Sequence, residues 1–480
     1  MIDEMNVNLA TEQAEQRRWK LRPQFSDLTV WDQLVANEFL TNDERRRQQE
    51  NGLSRLLIFS ANQVPHYRKL FSRLHLSQSA MPQPNELLRI PPLTKTTIKD
   101  NEAALVADRL PRGGKIGGST HTSGTTGASM RILHSKRSQD MYYFLAQRSR
   151  RWDRIDPFGT AAAIRQRPNL PRRTDGTPLP DGETLQLSAW PGIGHYFQTG
   201  PFLGFAKSNS LESIADWIEK YQPDTILSDS SLLEHLALEF QRRPPLKCIH
   251  TLKAVSEPLT AGRRARIEKM FGAPINLGYG LNEIGIIAAC CPEAGRYHVH
   301  DEHCLIEIVD DDNQPVTPGE FGRILVTTLT NFAMPLIRYD TGDIAQALDD
   351  PCPCGRTLPS FGQVLGRRSR IDTLPTNVIS LADAILEVME QLPENLSRNL
   401  QMYQLYHYRD GNFELRTVVA DSLPPAFAEH IQQVWRAATA SNSTKLRITN
   451  VDSIRPAPSE KFFHFDSDLL SPPILRSDQV

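Results

Sequence analysis

Short apolar runs alternate with helical segments between about residues 110 and 365, and this alternation constrains the fold more than any other feature. The candidate strands are 160–164, 225–227, 252–255 and 275–279, and the helices between them are 210–221, 231–241 and 260–271. Such alternation predicts an α/β architecture with a largely parallel sheet. Residues 304–310 and 322–328 are typical of an antiparallel pair instead, because an Asp-, Asn- and Pro-rich turn joins them.

The regions on either side differ from this pattern. Residues 1–85 have apolar residues at helical spacing, interrupted at 65–68, and 93–100 is typical of a capped helix start. The polar, proline-rich stretch 166–186 is either a disordered loop or a functional flap. After Gly366 the pattern changes to strands at 403–408, 413–419 and 446–451 and helices at 380–389 and 425–440. We therefore predict a large N-terminal domain, 1–366, and a smaller α+β C-terminal domain, 367–480.

The composition excludes several classes of protein. The 480 residues carry a formal net charge of −2, with 39% hydrophobic and 23% charged residues, so no basic bias indicates nucleic acid or an anionic membrane. No apolar run approaches the length of a membrane span, which is about 18 residues. The polar N-terminus lacks the apolar core of a signal peptide, so we expect a cytoplasmic protein. Six cysteines are too few for a disulfide scaffold.

A loop of hydroxyl and glycine residues follows His121, and it predicts a phosphate-binding turn. Glycine permits close approach of a ligand, and consecutive backbone N–H groups with Ser and Thr hydroxyls form a concavity that binds anions. No Gly-Lys-[Ser/Thr] follows, so the loop is not a Walker loop, and a Ser/Thr/Gly linker is the alternative. Its residues are Thr122, Ser123, Gly124, Thr125, Thr126 and Gly127.

Further stretches are chemically suited to the same site. Residues 278–283, Gly-Tyr-Gly-Leu-Asn-Glu, follow a candidate strand, where a tyrosine can stack on a base and Glu283 can bind magnesium. Asp343, in the turn 339–343, can bind a ribose diol, although an ordinary Asp-rich turn is the alternative. Gly366-Arg367 lies at the change of pattern, and Lys461 lies near the end of the C-terminal unit.

The order and separation of these stretches resemble the adenylate-forming superfamily of acyl-CoA ligases and adenylation domains, and in particular the phenylacetate–CoA ligase family. The resemblance extends from residues 65–68 and 93–95 to Lys461, and residues 331–339 ahead of Thr341-Gly342-Asp343 are similar to that family in particular. It implies a large domain that binds ATP and a carboxylate, and a small mobile domain that carries the catalytic lysine.

The resemblance also implies a role for each matching residue. Residues 122–127 would hold the β- and γ-phosphates, and Lys461 would bridge the carboxylate and the α-phosphate. Glu283 would bind Mg²⁺ together with a loop threonine, and Asp343 and Arg367 would take the ribose hydroxyls. The remaining nucleotide-binding residues would be Ser256, Glu257 and Pro258 beside adenine, Tyr279 stacked on it, Gly280 in the same turn, and Asn282, which could contact the α-phosphate.

The cysteines cluster in two short stretches. Cys291 lies seven residues before His298, and Cys352-Pro353-Cys354-Gly355 can form a tight knuckle. Three thiolates and one imidazole form a tetrahedral zinc set, which relatives in the family share, and a closed set of this kind would be structural. The alternative is four unrelated reduced cysteines. In a zinc site, Cys290 could take the place of Cys291 as a ligand. We expect Cys248 and Cys304 to be packed thiols.

The chain departs from the family around the acceptor site. Asn282 replaces the usual Thr or Ser, Arg368 to Arg370 replace an acidic pair, and Glu460 stands where glycine is common. The stretch 373–377 contains Pro375 where the family has a glycine loop of the CoA tunnel, and proline fixes φ and removes a donor. Adenylation remains compatible with these changes, whereas they leave the acceptor open: it could be CoA, a carrier-protein thiol or an amine.

We therefore predict an ATP-dependent, AMP-forming ligase that converts a carboxylic acid to an acyl-adenylate and transfers the acyl group to a thiol, with CoA favoured. The alternatives are an amide-forming ligase and a non-catalytic nucleotide-binding protein. Aromatic candidates for the acyl pocket indicate an aryl or compact cyclic acid, although aromatic residues also dominate cores. The oligomeric state stays open, with a homodimer as one outcome. The candidate acyl-pocket residues are Tyr142, Trp190, His195 and Tyr196.

Overall fold

A computed structural model describes residues 19–25, 29–76, 84–122, 130–255, 259, 261–367, 374–390, 392–397, 399–419, 421–439, 444–452, 454 and 465–469. The chain divides into two compact units. The first comprises Met1–Asp229, Pro245–Pro258 and Phe271–Gly366, and the second comprises Ser230–Pro244, Leu259–Met270 and Arg367–Val480. The predicted boundary at Gly366 coincides with one of these divisions, while two segments of the predicted N-terminal domain group with the second unit. The domain assignment as a whole stays a prediction.

Helices precede the first strand, as the spacing of apolar residues predicts. Pro65 does not end the helical region but begins a new helix, because the first helical position does not need the N–H that proline lacks. Thr94 caps the helix predicted near residue 93, accepting from the N–H of Thr97 at 3.1 Å. The helices are α1 (Thr29–Ala36), α2 (Asn42–Gln63), α3 (Pro65–Arg73), α4 (Pro84–Leu87), α5 (Lys95–Asp100) and α6 (Glu102–Leu105), with 3₁₀ turns at Pro23–Phe25 and Asn37–Phe39.

Strands and helices then alternate as predicted. Their bounds are β1 (Ile116–Thr122), β2 (Met130–Ser135), α7 (Lys136–Trp152), β3 (Ala161–Arg165), β4 (Leu185–Leu187), α8 (Ile193–Tyr196), β5 (Phe202–Ala206), α9 (Leu211–Tyr221), β6 (Thr225–Asp229), α10 (Ser230–Glu239), β7 (Thr251–Val255), α11 (Ala261–Phe271) and β8 (Ile275–Leu281), with 3₁₀ turns at Arg167–Asn169 and Phe240–Arg242. The stretch 166–186 is an ordered loop, because Leu170 and Leu179 are buried in a hydrophobic cluster with Trp190.

Strands dominate the rest of the first unit. They are β9 (Gly285–Cys290), β10 (Tyr297–Val299), β11 (Cys304–Val309), β12 (Phe321–Thr328), β13 (Tyr339–Ala347) and β14 (Ser360–Arg367). The predicted antiparallel pair is confirmed, with Cys304 opposite Thr328. Cys304 is buried in the core, as expected of a packed thiol, and Cys248 is half-buried.

One 12-stranded sheet joins these strands in the order β11-β12-β13-β14-β10-β9-β8-β7-β6-β3-β5-β4. The neighbours β5, β3, β6, β7 and β8 are parallel, as the alternation predicts. The pairs β8–β9, β9–β10 and β10–β14 are antiparallel. The carboxyl ends of the parallel strands therefore share one edge of the sheet, which is where ligands bind in open α/β sheets.

The C-terminal part is an α+β unit, as predicted. Its elements are α12 (Thr376–Glu390), α13 (Glu394–Ser397), β15 (Leu400–His407), β16 (Phe413–Val419), α14 (Pro425–Ala438), β17 (Leu446–Asn450) and β18 (Phe465–Ser467). The strands form a sheet in the order β17-β16-β15-β18, and residues of α12 and α14 share a core with it. The helix predicted for 380–389 begins earlier, at Thr376, so Pro375 directly precedes it rather than forming a glycine-like turn.

Candidate functional site

The turn between β8 and β9 carries four residues that the sequence assigns to nucleotide binding. Tyr279 and Gly280 lie at the end of β8, and Asn282 and Glu283 lie in the turn. A Cβ on Gly280 would lie 2.5 Å from the carbonyl oxygen of Gly285, so only glycine permits this close approach of the two strands. The sequence thus folds the turn tightly enough to present Glu283 beside the last residues of β8.

Two tyrosines and two carboxylates link this turn to β13. The hydroxyl of Tyr279 donates to Oδ2 of Asp343 at 2.8 Å, and the hydroxyl of Tyr339 donates to Oε1 of Glu283 at 2.9 Å. All four side chains are buried. Because β14, β10 and β9 lie between β13 and β8 in the sheet order, the sheet curls to bring these residues together. The structure therefore groups Tyr279, Glu283 and Asp343, which the sequence assigned separately to base, magnesium and ribose.

The strand that leads into the glycine-rich loop contacts the same turn. Thr120 of β1 donates its hydroxyl hydrogen to the carbonyl oxygen of Asn282 at 2.8 Å, and its Oγ1 lies 2.9 Å from Nε2 of His134. Burial lowers the pKa of His134 below its ordinary value, which favours the neutral imidazole. This contact brings the start of the predicted phosphate loop, Thr122, to the edge that carries Glu283.

Several predicted residues lie outside the described part of the chain. Thr122 ends β1 and Arg367 ends β14, and the side chains of both are outside it. The remaining residues assigned to ATP from the sequence are outside it altogether, so their roles stay predictions; these are Ser123, Gly124, Thr125, Thr126, Gly127, Ser256, Glu257, Pro258 and Lys461.

Arg338 supports this arrangement, although no role is predicted for it from the sequence. Its guanidinium is fully buried and forms an ion pair with Glu307, and it donates to the carbonyl oxygen of Ile90 at 2.7 Å. Its φ of 51° lies in the left-handed region, which is uncommon for a residue with a Cβ and is held here by these contacts. The backbone turns at Arg338 immediately before Tyr339. In the sequence, Arg338 resembles a surface charge, so its buried position could not be recognised there.

The four candidates for the acyl pocket lie in different surroundings. Tyr142 on α7 is 43% exposed, and its ring is 3.1 Å from the position of a Cβ on Gly285, so it lies against the β8–β9 turn. Trp190 and Tyr196 are buried in one hydrophobic cluster, while His195 is exposed and lies 5.0 Å from the ring of Phe25. Of the four, Tyr142 is the exposed residue that lies against the β8–β9 turn, and the substrate-binding roles of all four stay predictions.

Cys291, His298, Cys352 and Cys354 converge as the sequence predicts. Their ligand atoms all lie within 4.8 Å of one another. The sulfurs of Cys352 and Cys291 are 3.8 Å apart, and the sulfur of Cys354 is 3.3 Å from Nε2 of His298. Ligands about 2.3 Å (S) and 2.0 Å (N) from a tetrahedral zinc would be separated by about 3.8 Å for two sulfurs and about 3.5 Å for sulfur and nitrogen. The spacing therefore fits a zinc ion.

Hydrogen bonds to His298 and Cys354 favour the protonation states in which these two residues bind a metal cation. Nδ1 of His298 donates to the carbonyl oxygen of Leu358 at 3.3 Å, which leaves the lone pair of Nε2 on the side of Cys354. The hydrogen bond from the Cys291 thiol lowers the pKa of the Cys354 thiol well below its ordinary value, and the same hydrogen bond raises the pKa of Cys291. A thiolate and an imidazole lone pair are the protonation states that zinc binds.

A buried ionic network adjoins the cluster, and no sequence pattern predicts it. Glu38, fully buried, accepts from Arg151 at 2.5 Å, from the indole N–H of Trp152 at 2.9 Å and from Arg356 at 3.2 Å. The backbone N–H of Arg356 also donates to the sulfur of Cys354 at 3.4 Å. The cysteine knuckle is thus joined through Arg356 to the N-terminal segment and to α7.

Comparisons with known proteins show which sequences and structures the chain is similar to. No protein-family model matches the chain. The phenylacetate-coenzyme A ligase of Thermus thermophilus is 28% identical over 420 residues, which are 83% of this chain and 86% of that protein. The phenylacetate-coenzyme A ligase of Escherichia coli is 26% identical over 392 residues, which are 78% and 82% of the two chains.

Solved structures give the same result for the fold. The 2-hydroxyisobutyryl-CoA ligase in its postadenylation state, bound to 2-HIB-AMP, matches with a TM-score of 0.69 at 17% identity, over 88% of this chain and 90% of that chain. Its open conformation with 2-HIB-AMP and CoA matches with a TM-score of 0.59 at 18% identity, over 88% and 92%. The chain therefore has the fold of the adenylate-forming ligases, and over most of its length its sequence is similar to that of the phenylacetate-coenzyme A ligases.

Proposed function

We propose that this protein is an ATP-dependent, AMP-forming ligase that joins a carboxylic acid to a thiol, with coenzyme A as the acceptor. The observation that carries the proposal is the pair of reciprocal hydrogen bonds, Tyr279 to Asp343 and Tyr339 to Glu283, which groups a stacking ring and two carboxylates at the carboxyl end of β8. Relatives over most of the chain are named phenylacetate-coenzyme A ligase, and the matching structures contain an acyl-AMP. Both are consistent with an acyl-adenylate intermediate.

The first step activates the acid. An oxygen of its carboxylate attacks the α-phosphorus of ATP, the bond to the β-phosphate oxygen breaks, and pyrophosphate leaves with that oxygen's electron pair. In this proposal Tyr279 stacks on the adenine, Asp343 and Arg367 bind the ribose hydroxyls, and residues 122–127 hold the β- and γ-phosphates. Lys461 stabilises the charge on the α-phosphate and the incoming carboxylate. Such positioning and electrostatic stabilisation supply most of the catalysis in phosphoryl-type transfers.

The second step transfers the acyl group to the acceptor thiol. The sulfur of the acceptor attacks the acyl carbon, and AMP leaves with the electrons of the bond between that carbon and the phosphate oxygen. The acyl-adenylate is sensitive to water, so the site has to exclude solvent between the two steps. The substrate class that we propose is an aryl or compact cyclic acid. Tyr142, which is exposed beside the β8–β9 turn, would contact it.

Glu283 fits the role of a Mg²⁺ ligand. Tyr339 donates to Oε1 of Glu283, and among the residues that the structure describes no group donates to Oε2. A carboxylate with one oxygen anchored and the other open is suited to a hard cation that also contacts phosphate oxygens. When bound, Mg²⁺ would offset the charge of the leaving pyrophosphate.

We also propose a structural zinc ion held by Cys291, His298, Cys352 and Cys354. The interatomic distances and the lone pair on Nε2 of His298 support four-coordinate binding. Because the protein itself supplies all four ligands, no position remains for a substrate, and the ion would serve stability rather than catalysis. Its role would be to hold the knuckle at Cys352 and Cys354 against β9 and β10.

Acid-dependent exchange of labelled pyrophosphate into ATP tests the first step. We expect one or more acids of an aryl and cyclic panel to support exchange in the wild type, and Lys461→Ala to reduce it by at least about a hundredfold, as loss of a charge-stabilising group does. The matched control is Lys445→Ala, because Lys445 is exposed in the same unit. No exchange with any acid would contradict the proposal.

The acceptor is identified by product mass. The active acid is incubated with ATP and CoA, or with ATP and a pool of amino acids and amines. A CoA thioester supports the proposal, whereas an amide without thioester would identify an amide-forming ligase. ATP binding without turnover of any acid would identify a non-catalytic nucleotide-binding protein.

Two further points belong to this proposal. Among the described residues, no helix combines the length and apolarity that crossing a bilayer requires. We propose a cytoplasmic location because ATP and CoA, the substrates of the reaction, are available there. A homodimer stays a prediction from the family resemblance.

A further inference from the structure

The turn that carries Glu283 is closed by one backbone hydrogen bond. The N–H of Ile284 donates to the carbonyl oxygen of Leu281 at 3.1 Å, which places Asn282 and Glu283 at the centre of a four-residue turn. The carbonyl groups of Asn282 and Ile284 take no part in that bond. Their contacts therefore decide how the peptide groups that precede Glu283 and follow Ile284 are oriented.

Thr120 of β1 holds the first of these carbonyl groups. Its hydroxyl donates to the carbonyl oxygen of Asn282 at 2.8 Å, because a carbonyl oxygen can only accept. Oγ1 of Thr120 then accepts from Nε2–H of His134, which lies 2.9 Å away. The order of donors runs from His134 through Thr120 to Asn282. The hydroxyl hydrogen of Thr120 is thus directed at the turn.

His303 holds the second carbonyl group. Its Nε2–H donates to the carbonyl oxygen of Ile284 at 3.1 Å, so Nδ1 carries the lone pair and accepts from the hydroxyl of Thr330 at 2.6 Å. His303 is fully buried, and its backbone N–H and carbonyl oxygen pair with His300 and Leu329 at 2.9 and 2.7 Å. These contacts fix the tautomer and the orientation of the imidazole.

The two contacts complement the one that Tyr339 makes. Tyr339 donates to Oε1 of Glu283 and so orients the side chain, which is 4% exposed. The position of the backbone from which that side chain starts is set instead by Thr120 and His303. A displacement of about 1 Å at a positioned group can cost about 100-fold in rate. The backbone contacts are therefore as important to the geometry of the carboxylate as the tyrosine is.

Thr120 also belongs to the strand that leads into the proposed phosphate loop. It lies two residues before Thr122, the last residue of β1. One hydroxyl thus joins the strand ahead of that loop to the turn that carries Glu283. A magnesium ion that bridges a carboxylate and phosphate oxygens needs a constant distance between the elements that hold them. The bond from Thr120 to Asn282 supplies such a link.

We propose that Thr120 and His303 are positioning residues, which fix the backbone on the two sides of Glu283 so that its carboxylate meets the complex of Mg²⁺ and ATP in one geometry. The inference rests on the proposed ligase function and adds two residues to it. Each of them acts through a backbone carbonyl group of the turn rather than on the nucleotide. His134 and Thr330 complete the arrangement, because they set which atoms of Thr120 and His303 donate.

Two matched pairs of variants test the inference. Thr120→Val removes the hydroxyl and keeps the shape of the side chain, whereas Thr120→Ser keeps the hydroxyl. His303→Asn keeps an acceptor near the position of Nδ1 for Thr330, whereas His303→Gln keeps a donor near the position of Nε2 for Ile284.

The expected effect is on the metal requirement. We expect Thr120→Val and His303→Asn each to raise the Mg²⁺ concentration for half-maximal pyrophosphate exchange about tenfold at saturating ATP, as loss of an outer-shell partner of a metal ligand does. Thr120→Ser and His303→Gln should keep a value near that of the wild type. Equal values within either pair would overturn the role of that residue.

Two controls separate positioning from stability. Thr41→Val removes the hydroxyl that caps α2, so it costs stability, and we expect it to leave the Mg²⁺ requirement unchanged. Glu283→Gln provides the second control. If Thr120 acts through Glu283, Thr120→Val should add little to the requirement of Glu283→Gln, because changes within one network are not additive. A full additional effect in that background would overturn the inference.

A binding measurement separates this inference from the ligase proposal. If no acid supports exchange, the ligase proposal fails, and calorimetric binding of ATP at a series of Mg²⁺ concentrations still decides the inference. A requirement about tenfold higher in Thr120→Val than in Thr120→Ser would support it. Equal requirements, or no Mg²⁺-dependent binding by the wild type, would overturn it. If the His303 variants do not fold, the pair at Thr120, a partly exposed position, decides the inference alone.

Discussion

Tyr279 donates its phenolic hydrogen to Asp343 at 2.8 Å, although three strands lie between β8 and β13 in the sheet order. Tyr339 of β13 donates to Glu283 beside β8 at 2.9 Å. Strand β8 and the turn after it thus supply the hydroxyl of Tyr279 and the carboxylate of Glu283. Strand β13 supplies the hydroxyl of Tyr339 and the carboxylate of Asp343. A tyrosine that donates to a carboxylate also orients it, so the two pairs would set the geometry of the ribose and magnesium contacts that we propose for Asp343 and Glu283.

Tyr339→Phe should weaken magnesium binding. The hydroxyl of Tyr339 fixes Glu283, and removal of a group that orients a metal ligand usually costs about 10- to 100-fold in metal affinity. We expect the Mg²⁺ concentration for half-maximal pyrophosphate exchange to rise by about tenfold or more at saturating ATP. A Mg²⁺ titration of exchange rate measures it.

Tyr279→Phe is the matched comparison for that variant. It removes the hydroxyl that contacts Asp343 and keeps the ring, so we expect a higher KM for ATP with little change in the Mg²⁺ requirement. If both variants change the same parameter to the same extent, the two tyrosines do not have separate positioning roles.

Loss of one cysteine should remove the metal. We expect about one zinc per chain by elemental analysis of the purified protein. Cys352→Ser should lose it and lower the free energy of unfolding by about 4 kcal/mol or more, as loss of a structural metal does. Cys248→Ser is the control, because Cys248 is half-buried and outside the cluster. A wild-type protein without zinc, or an unchanged zinc content in Cys352→Ser, would refute the site.

Glu38→Gln should destabilise the protein strongly. It leaves Arg151 and Arg356 buried without their carboxylate, and removal of one partner of a buried ion pair costs about 3–5 kcal/mol. The control is Glu50→Gln, which breaks an exposed pair with Arg46 and is expected to change stability by less than about 1 kcal/mol. Urea denaturation followed by circular dichroism compares them, and equal costs would show that Glu38 has no special role.

Acidification should destabilise the protein through His303. Nε2–H of His303 donates to the carbonyl oxygen of Ile284 at 3.1 Å, and Nδ1 is 2.6 Å from Oγ1 of Thr330. Burial lowers the pKa of His303 from 6.5 to about 4. The unfolded chain therefore binds a proton first as the pH falls, and stability that is present above pH 6.5 is lost progressively down to about pH 4.

The size of this effect follows from the pKa of His303 in the unfolded chain, 6.5, and its pKa in the folded protein, about 4. Between pH 7 and pH 5 it amounts to about 2 kcal/mol. Burial also raises the pKa of Asp301 to about 6, which gives an opposite slope from about pH 4 to pH 6. The measurement is therefore the difference between wild type and His303→Gln, whose stability should fall less by about 2 kcal/mol over this range. Parallel curves would contradict the assignment.

Local patterns predicted the elements that depend on local forces. The parallel strands, the helices between them and the capped start at Thr94 follow from periodicity and capping. The sequence predicts that Pro65 interrupts the helical pattern. It does not show whether the proline ends one helix or begins another, because proline is compatible with both. The clustering of Cys291, His298, Cys352 and Cys354 was also predicted, because metal ligands carry a spacing signal.

Long-range relationships could not be predicted in the same way. Nothing near Glu38 or Arg338 in sequence indicates a buried ion pair, since the pairing depends on residues that the fold brings from far away. Tyr339 stood inside a recognised motif, yet its contact with Glu283 requires the curl of the sheet. Trp190 and Tyr196 lie in a hydrophobic cluster, which the sequence alone does not show, because cores and binding sites use the same side chains. Their role in an acyl pocket stays a prediction.

The buried position of Glu38 has a consequence for synthesis of the chain. Its partners Arg151 and Arg356 follow it by 113 and 318 residues. At about 5–20 residues per second, a ribosome adds Arg356 about 16–64 s after Glu38. During that time the carboxylate lacks a cation that its final environment supplies. The segment around Glu38 therefore cannot complete its packing until Arg356, which follows the cysteine knuckle, has been synthesised.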